Sequence, residues 1–315
     1  MIKYLRIVAV GIGLLLLGYF IWFAVTAINL DVLRHVFTSP RIMLGVIAAA
    51  LLYALIIPIS ALAWRQLLIV QGEDWEVISL ARFLGLAQLA KYIPGNIAQH
   101  AARVGLCLRA GMKTRAIFAS TTQELLLSVG ASFAVGLVMF SLSPFTLGID
   151  HLSISMRHTL VSFAVCGALG VRLIASFKLD PVSFSEHPCS VLRLLARIGG
   201  LPGPKATLIA LIAYMSNYLF IGFGLWLIAC AIDAPVAMGF TTVTAVFALS
   251  WILGFLAPVA PAGLGAREGV MLLLLQGSAP AETLLVGVVL ARAMTILGDG
   301  ICFGVASISQ ARCRK

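Results

Sequence analysis

Arg267 and Glu268 stand side by side in Pro258-Val-Ala-Pro-Ala-Gly-Leu-Gly-Ala-Arg-Glu-Gly269, a glycine-rich stretch between two strongly apolar segments. A guanidinium beside a carboxylate can hold a phosphate, balance a counter-charge or pass a proton. Both are costly to place in hydrocarbon, and at membrane depth such residues mark substrate or ion pathways. A second stretch, Tyr92-Ile-Pro-Gly-Asn-Ile-Ala-Gln-His-Ala-Ala-Arg103, has the same build. Lys91 precedes its turn at Pro94 and Gly95, Asn96 follows it, and Arg103 comes within about two helical turns. Pro261, Gly263 and Gly265 are the matching turn residues of the first stretch. Glu124, Arg292 and Asp299 lie inside long apolar runs. Arg292, Thr295 and Asp299 fall at i, i+3 and i+7 and so share one helical face; Asp299 is too far inside its run to reach the headgroups.

Each group has a plain structural reading beside the functional one. Arg292 and Asp299 are either a structural ion pair with another helix or the charged lining of a polar cavity. Arg267 and Glu268 can satisfy each other and the freed backbone of their turn, while Arg103 and Lys91 can anchor hairpin ends at the headgroups. Gln99 and His100 are polar on a short limb; a lone histidine is more often a hydrogen-bonded structural residue, and no metal is assigned to it. Tyr214, Asn217 and Tyr218 suit helix packing as well as a site.

The elements that must position these residues follow from composition. Of 315 residues, 61% are hydrophobic and 11% charged, far from the roughly 25% charged of a soluble domain; the mean hydropathy is +1.06. The expected fold is an all-α polytopic membrane protein forming one integral membrane domain over residues 1–315. Long apolar spans are expected at about Ile7–Ile28, Ile42–Leu68, Ala116–Leu142, His158–Ile174, Thr207–Ile232, Met238–Leu256 and Glu282–Ile308. Two Pro/Gly re-entrant hairpins join them, one from Ile78 to Leu108 and one from Pro258 to Gln276. Hydrocarbon cannot hydrogen-bond a broken backbone, so such turns at depth must be enclosed by protein or water. The Met1–Ile28 stretch has too long an apolar run for a signal peptide and reads as a retained helix. Trp64-Arg65 reads as an interfacial anchor closing the second span.

The net charge of +10 comes from Lys and Arg scattered through short loops, and the longest polar connection, Lys178 to Lys205, has an excess of them that places it in the cytoplasm; this points to positive-inside topology and anionic lipid rather than nucleic acid. Seven full spans would leave the basic tail outside; eight, with one hairpin crossing, place both ends in the cytoplasm. The location expected is the cell (inner) membrane. The six cysteines form no close pair and read as small core residues. Two repeat-like halves, about 42–142 and 207–308, each run long span, hairpin with trailing Arg, glycine (Gly111, Gly277), then a long helix carrying an ionisable residue. Interrupted segments at matching positions of a repeat point to a midplane binding site.

Enzymatic signatures are nearly absent: there is no H-E-x-x-H, P-loop, G-x-S-x-G or Asp-x-Asp pair, and no cofactor is expected. Lys91-Tyr-Ile-Pro-Gly-Asn96, Ala102-Arg103, Arg109-Ala-Gly111, Glu124, Pro261-Ala-Gly-Leu-Gly-Ala-Arg-Glu268 and Arg292 together resemble the transmembrane, flippase-like domain of lysylphosphatidylglycerol synthases over nearly the whole chain. Ala262 stands where that family's P-G-G-L-G-x-R-E has a glycine, which stiffens one side of the turn. The resemblance implies a stand-alone form without the aminoacyl-transferase domain that moves lipid between leaflets.

The function expected is therefore a lipid flippase or translocator for an anionic or aminoacylated phospholipid, or for a polyprenyl-phosphate-linked lipid. Its substrate-binding residues would be Lys91, Asn96, Arg103, Glu124, Arg267, Glu268, Arg292 and Asp299, and its partners membrane lipids and a separate lipid-modifying enzyme. The alternatives are a membrane-embedded lipid or glycosyl transferase using Glu268 or Glu124 as base, or a non-catalytic partner of a lipid-modifying enzyme.

Overall fold

The computed structural model describes residues 38–93, 98–143, 202–256, 263 and 265–313. The expected spans at Ile7–Ile28 and His158–Ile174, most of the Lys178 to Lys205 connection, and the turn residues Pro94, Gly95, Asn96 and Pro261 lie outside the described residues. Among these, every regular element is a helix.

The first, α1 (Pro40–Ala54), begins with proline in the first turn after an extended Ser39, where the missing N–H costs nothing. It runs through Leu55 into α2 (Ile56–Val70), and together they make one apolar span of 31 residues. Pro58 explains the interruption: it cannot donate to the carbonyl four residues back. That carbonyl, on Ala54, is met instead by the Cys302 thiol at 3.6 Å.

Next come α3 (Val77–Ala87), a 3-10 turn at Gln88–Tyr92, and α4 (Ala98–Arg109). The long α5 (Thr114–Leu142) and α6 (Pro204–Ala231) follow, then α7 (Phe240–Leu256), α8 (Ala266–Leu275) and α9 (Ala281–Cys313). Besides Pro40–Val70, α5, α6 and α9 are long and apolar enough to cross a membrane. Between α2 and α3, Glu73 accepts from the Trp75 indole and pairs with Lys113 at 3.6 Å, tying this loop to the turn before α5. The Trp75 bond holds the Glu73 carboxyl below its usual range.

The first hairpin has the limbs the sequence predicts: α4 packs back on α3 and on the 3-10 turn. Of the second, Pro258 to Gln276, the described residues form the ten-residue α8, which packs against α7. Continuous hydrophobicity made α7 read as a span, and it is an apolar helix over its 17 described residues, with α8 packed against it. Gly111 and Gly277, with φ of +91° and +83°, close α4 and α8 at corresponding places; this left-handed conformation is where glycine is favoured.

Packing crosses between the halves. α6 lies against α1, α2, α5 and α7; α9 packs on α1 and α3, and α5 on α7. Thus α3, the first limb of the first hairpin, is held by α9, and α7, which precedes the second hairpin, by α5. Apolar helices in lipid gain little from hydrophobic burial against one another and associate through close approach at small residues. At Gly85 an added Cβ would lie 2.9 Å from the Cys302 carbonyl oxygen on α9, whereas at Gly105 it would meet open space. Gly85→Val should therefore cost about 1–3 kcal/mol by overpacking, read as a lower thermal midpoint in detergent, with Gly105→Val much closer to wild type. Equal losses at both positions would show that the α3–α9 contact is not the constraint.

Candidate functional site

The 3-10 turn after α3 positions the first charged group. In a 3-10 helix, side chains at i and i+3 eclipse, which places Gln88 and Lys91 on one side. Both meet Asp299 of α9: Lys91 Nζ lies 2.6 Å from Oδ2, and Gln88 Nε2 donates to Oδ1 at 2.9 Å. The Tyr92 hydroxyl donates to the same carboxylate. Lys91 also donates to the Tyr53 hydroxyl at 3.1 Å, and Gln99 supports Gln88 at 2.9 Å. Asp299 is fully buried.

A second group joins α4 to α5. Arg103 Nη1 lies 2.7 Å from Glu124 Oε2, close in distance though poorly aligned for a hydrogen bond, and Nη2 donates to Thr121 at 3.0 Å. The guanidinium sits 4.6 Å above the Trp64 ring, and the Trp64 indole donates to Ser120 at 2.9 Å. This corrects the anchor reading of Trp64-Arg65: Trp64 is wholly buried beneath Arg103, while Arg65 alone turns outward, to Asp74. Successive residues of a helix point about 100° apart, so one of the two can face the core.

The third group is built by α8. Gly263 and Gly265 have φ of +70° and +83°, a conformation that costs other residues about 1–2 kcal/mol. From this turn Glu268, at the third helical position, reaches back to accept the Gly265 N–H at 2.8 Å, the acidic half of a capping box. Its other oxygen lies 3.4 Å from both Arg267 Nη2 and Arg292 Nη1. Gly254 of α7 leaves room for Arg267, whose Cβ would be 3.1 Å from a Cβ placed there. The Arg267 guanidinium then rests 5.2 Å from the Phe247 ring centre, and that of Arg292 lies 5.6 Å from Tyr92.

Between these groups lies a partly open cavity of about 270 Å³, lined by Lys91, Arg103, Glu124, Arg267 and Arg292 and by both hairpins. Glu268 and Asp299 stand behind its cations. Among the described residues, Lys91, Arg103, Arg267 and Arg292 face Glu124, Glu268 and Asp299, a formal excess of one positive charge. Phe247, Trp251 and Phe255 form an apolar wall, with Trp251 and Phe255 stacked at 5.4 Å.

The chain matches the family model described as the lysylphosphatidylglycerol synthase TM region over residues 8–301. It belongs to that family. It is accordingly a multi-pass membrane protein of lipid-related function. No curated protein matches it.

Of the residues singled out in the sequence, this member of the lysylphosphatidylglycerol synthase transmembrane family brings Lys91, Arg103, Glu124, Arg267, Glu268, Arg292 and Asp299 to or directly behind one cavity. Asn96 lies outside the described residues. Tyr214, Asn217 and Tyr218 also line the cavity. Sequence reasoning missed Tyr53, which gives no signal because a tyrosine within an apolar run is ordinary. Gln88 was legible in principle, three residues before Lys91 on the same limb.

Proposed function

We propose that the protein is a translocator that moves a phosphate-bearing lipid between leaflets, with the phosphate held between Arg267 and Arg292. The observation that carries this reading is one carboxylate, Glu268, shared at 3.4 Å by two guanidiniums on a cavity wall. Charge-assisted hydrogen bonds to oxyanions are typically about 2.7–2.9 Å, so neither arginine is saturated by Glu268 and a phosphate oxygen can better that partner. At about 270 Å³ the cavity is slightly below the roughly 300–1,000 Å³ of drug-sized pockets. It suits a headgroup, with the acyl or prenyl chains left in the bilayer past Trp251 and Phe255. The two hairpins would enter the membrane without spanning it, as matching elements of two repeat-like halves, in the cell (inner) membrane. A separate lipid-modifying enzyme would supply or consume the lipid.

In liposomes containing the purified protein, fluorescent anionic lipid should exchange leaflets, as read by headgroup accessibility. Arg267→Ala should slow that exchange at least tenfold while preserving the elution profile and thermal midpoint. Wild-type exchange in the Arg267→Ala variant would remove this residue from the site, and a new lipid species in place of exchange would favour a transferase.

A further inference from the structure

The last residue of the 3-10 turn, Tyr92, has two attachments on α9. Its hydroxyl donates to Asp299, and its ring lies 5.6 Å from the Arg292 guanidinium. Arg292 and Asp299 are seven residues apart on one face, about 10 Å along the helix, and the tyrosine bridges them. The described residues that line the cavity include Lys91 and Arg292 but not Tyr92. Tyr92 therefore meets the arginine from outside the space a ligand enters. Its ring also carries the Lys91 ammonium, at 5.6 Å.

An aromatic ring attracts a guanidinium through its quadrupole rather than through an oxygen acceptor. Such a contact restrains a long, flexible side chain and leaves its N–H donors to an oxyanion. Arg267 has the same kind of support, with Phe247 at 5.2 Å. The two rings are held differently. Phe247 is buried in α7 as part of the packed core, whereas Tyr92 sits on a short turn that Asp299 holds to α9 through Gln88, Lys91 and Tyr92 itself. One arginine of the pair is thus placed by the core, and the other by the docking of the first hairpin's turn.

We propose that Tyr92 is a positioning residue for Arg292, which makes the phosphate site complete only while the 3-10 turn of the first hairpin is docked on α9. This rests on the reading of Arg267 and Arg292 as the phosphate site. Linkage of this kind is reciprocal: docking of the turn favours phosphate binding, and bound phosphate holds the turn in place. Undocking of the turn weakens the grip on the headgroup, so the first hairpin controls release from a site to which it contributes no phosphate ligand through Tyr92.

The test is a titration of the purified protein, in phosphatidylcholine nanodiscs, with short-chain phosphatidylglycerol. Tyr92→Leu should raise Kd about fivefold, the size of a partly desolvated cation–π contact. Tyr92→Phe keeps the ring and loses only the bond to Asp299, and should fall between Tyr92→Leu and the wild type. In an Arg292→Ala background, where the contact is already gone, Tyr92→Leu should add no further loss. An equal loss in both backgrounds would show general loosening and overturn the proposal, as would wild-type affinity in Tyr92→Leu. A second measurement leaves the turn unaltered: saturating phosphatidylglycerol should slow hydrogen exchange of the Gln88–Tyr92 amides in the wild type and not in Arg292→Ala. Unchanged exchange in the lipid-bound wild type overturns the linkage while the phosphate site stands. Failure of the wild type to bind phosphatidylglycerol overturns both.

Discussion

Asp299→Ala should destabilise the protein by about 3–5 kcal/mol, the range for removing one partner of a buried ion pair. The carboxylate is fully buried and receives Lys91, Gln88 and Tyr92, all from the 3-10 turn of the first hairpin. Without it, the Lys91 ammonium stays at the end of a packed limb with the Tyr53 hydroxyl as its remaining hydrogen-bond partner among the described residues, and the turn loses its attachment to α9. Asp299→Asn keeps a hydrogen-bonding side chain but leaves the lysine uncompensated, and should fall between Ala and wild type. Replacing both members, Lys91→Met with Asp299→Leu, removes the unpaired charge, and such apolar exchanges of a buried pair are often neutral. The double variant should therefore be more stable than Asp299→Ala, a coupling that a double-mutant cycle of unfolding in detergent would measure. A folded, wild-type-stable Asp299→Ala that no longer moves lipid would instead put Asp299 among the substrate ligands.

This distinction was not available from spacing. Arg292, Thr295 and Asp299 share one face of α9, and the face alone suits either an ion pair or a cavity lining. The structure divides it: Arg292 and Thr295 line the cavity, and Asp299 lies behind it as the clasp for the first hairpin. The helix period says which residues lie together and is silent on which element lies opposite. The glycine turn into α8 was legible because proline and glycine punctuate an otherwise apolar pattern, and the charges near it because few charges occur at all. The packing of α8 against α7 was not: α7 has the composition of a span, and nothing in its sequence says which helix lies along it. Trp64 misled for a related reason. An aromatic before a cation is the pattern of a headgroup anchor, and only the Ser120 and Arg103 contacts show that the ring faces inward. The apolar character shared by lipid-facing and core-facing residues removes the inside-outside signal that a soluble helix would carry.

Glu268→Gln should tighten anionic headgroup binding and slow translocation, the opposite binding effect to Arg267→Ala. Glutamine keeps an oxygen able to accept the Gly265 N–H, so the turn into α8 retains its cap. What it removes is the negative charge shared by Arg267 and Arg292. With an effective dielectric of about 20 and a phosphate about 6 Å from that carboxylate, the lost repulsion is about 2.8 kcal/mol. That is roughly a hundredfold in Kd, an upper value that water in a partly open cavity would reduce to about tenfold. A carrier must also let its cargo go, and a site that holds the phosphate more tightly in its resting state raises the barrier to leaving it. Titration with phosphatidylglycerol should thus show a lower Kd in Glu268→Gln, and the liposome assay a slower exchange. Weaker binding in Glu268→Gln would mean that the carboxylate's task is to orient the two arginines rather than to compete with the phosphate for them.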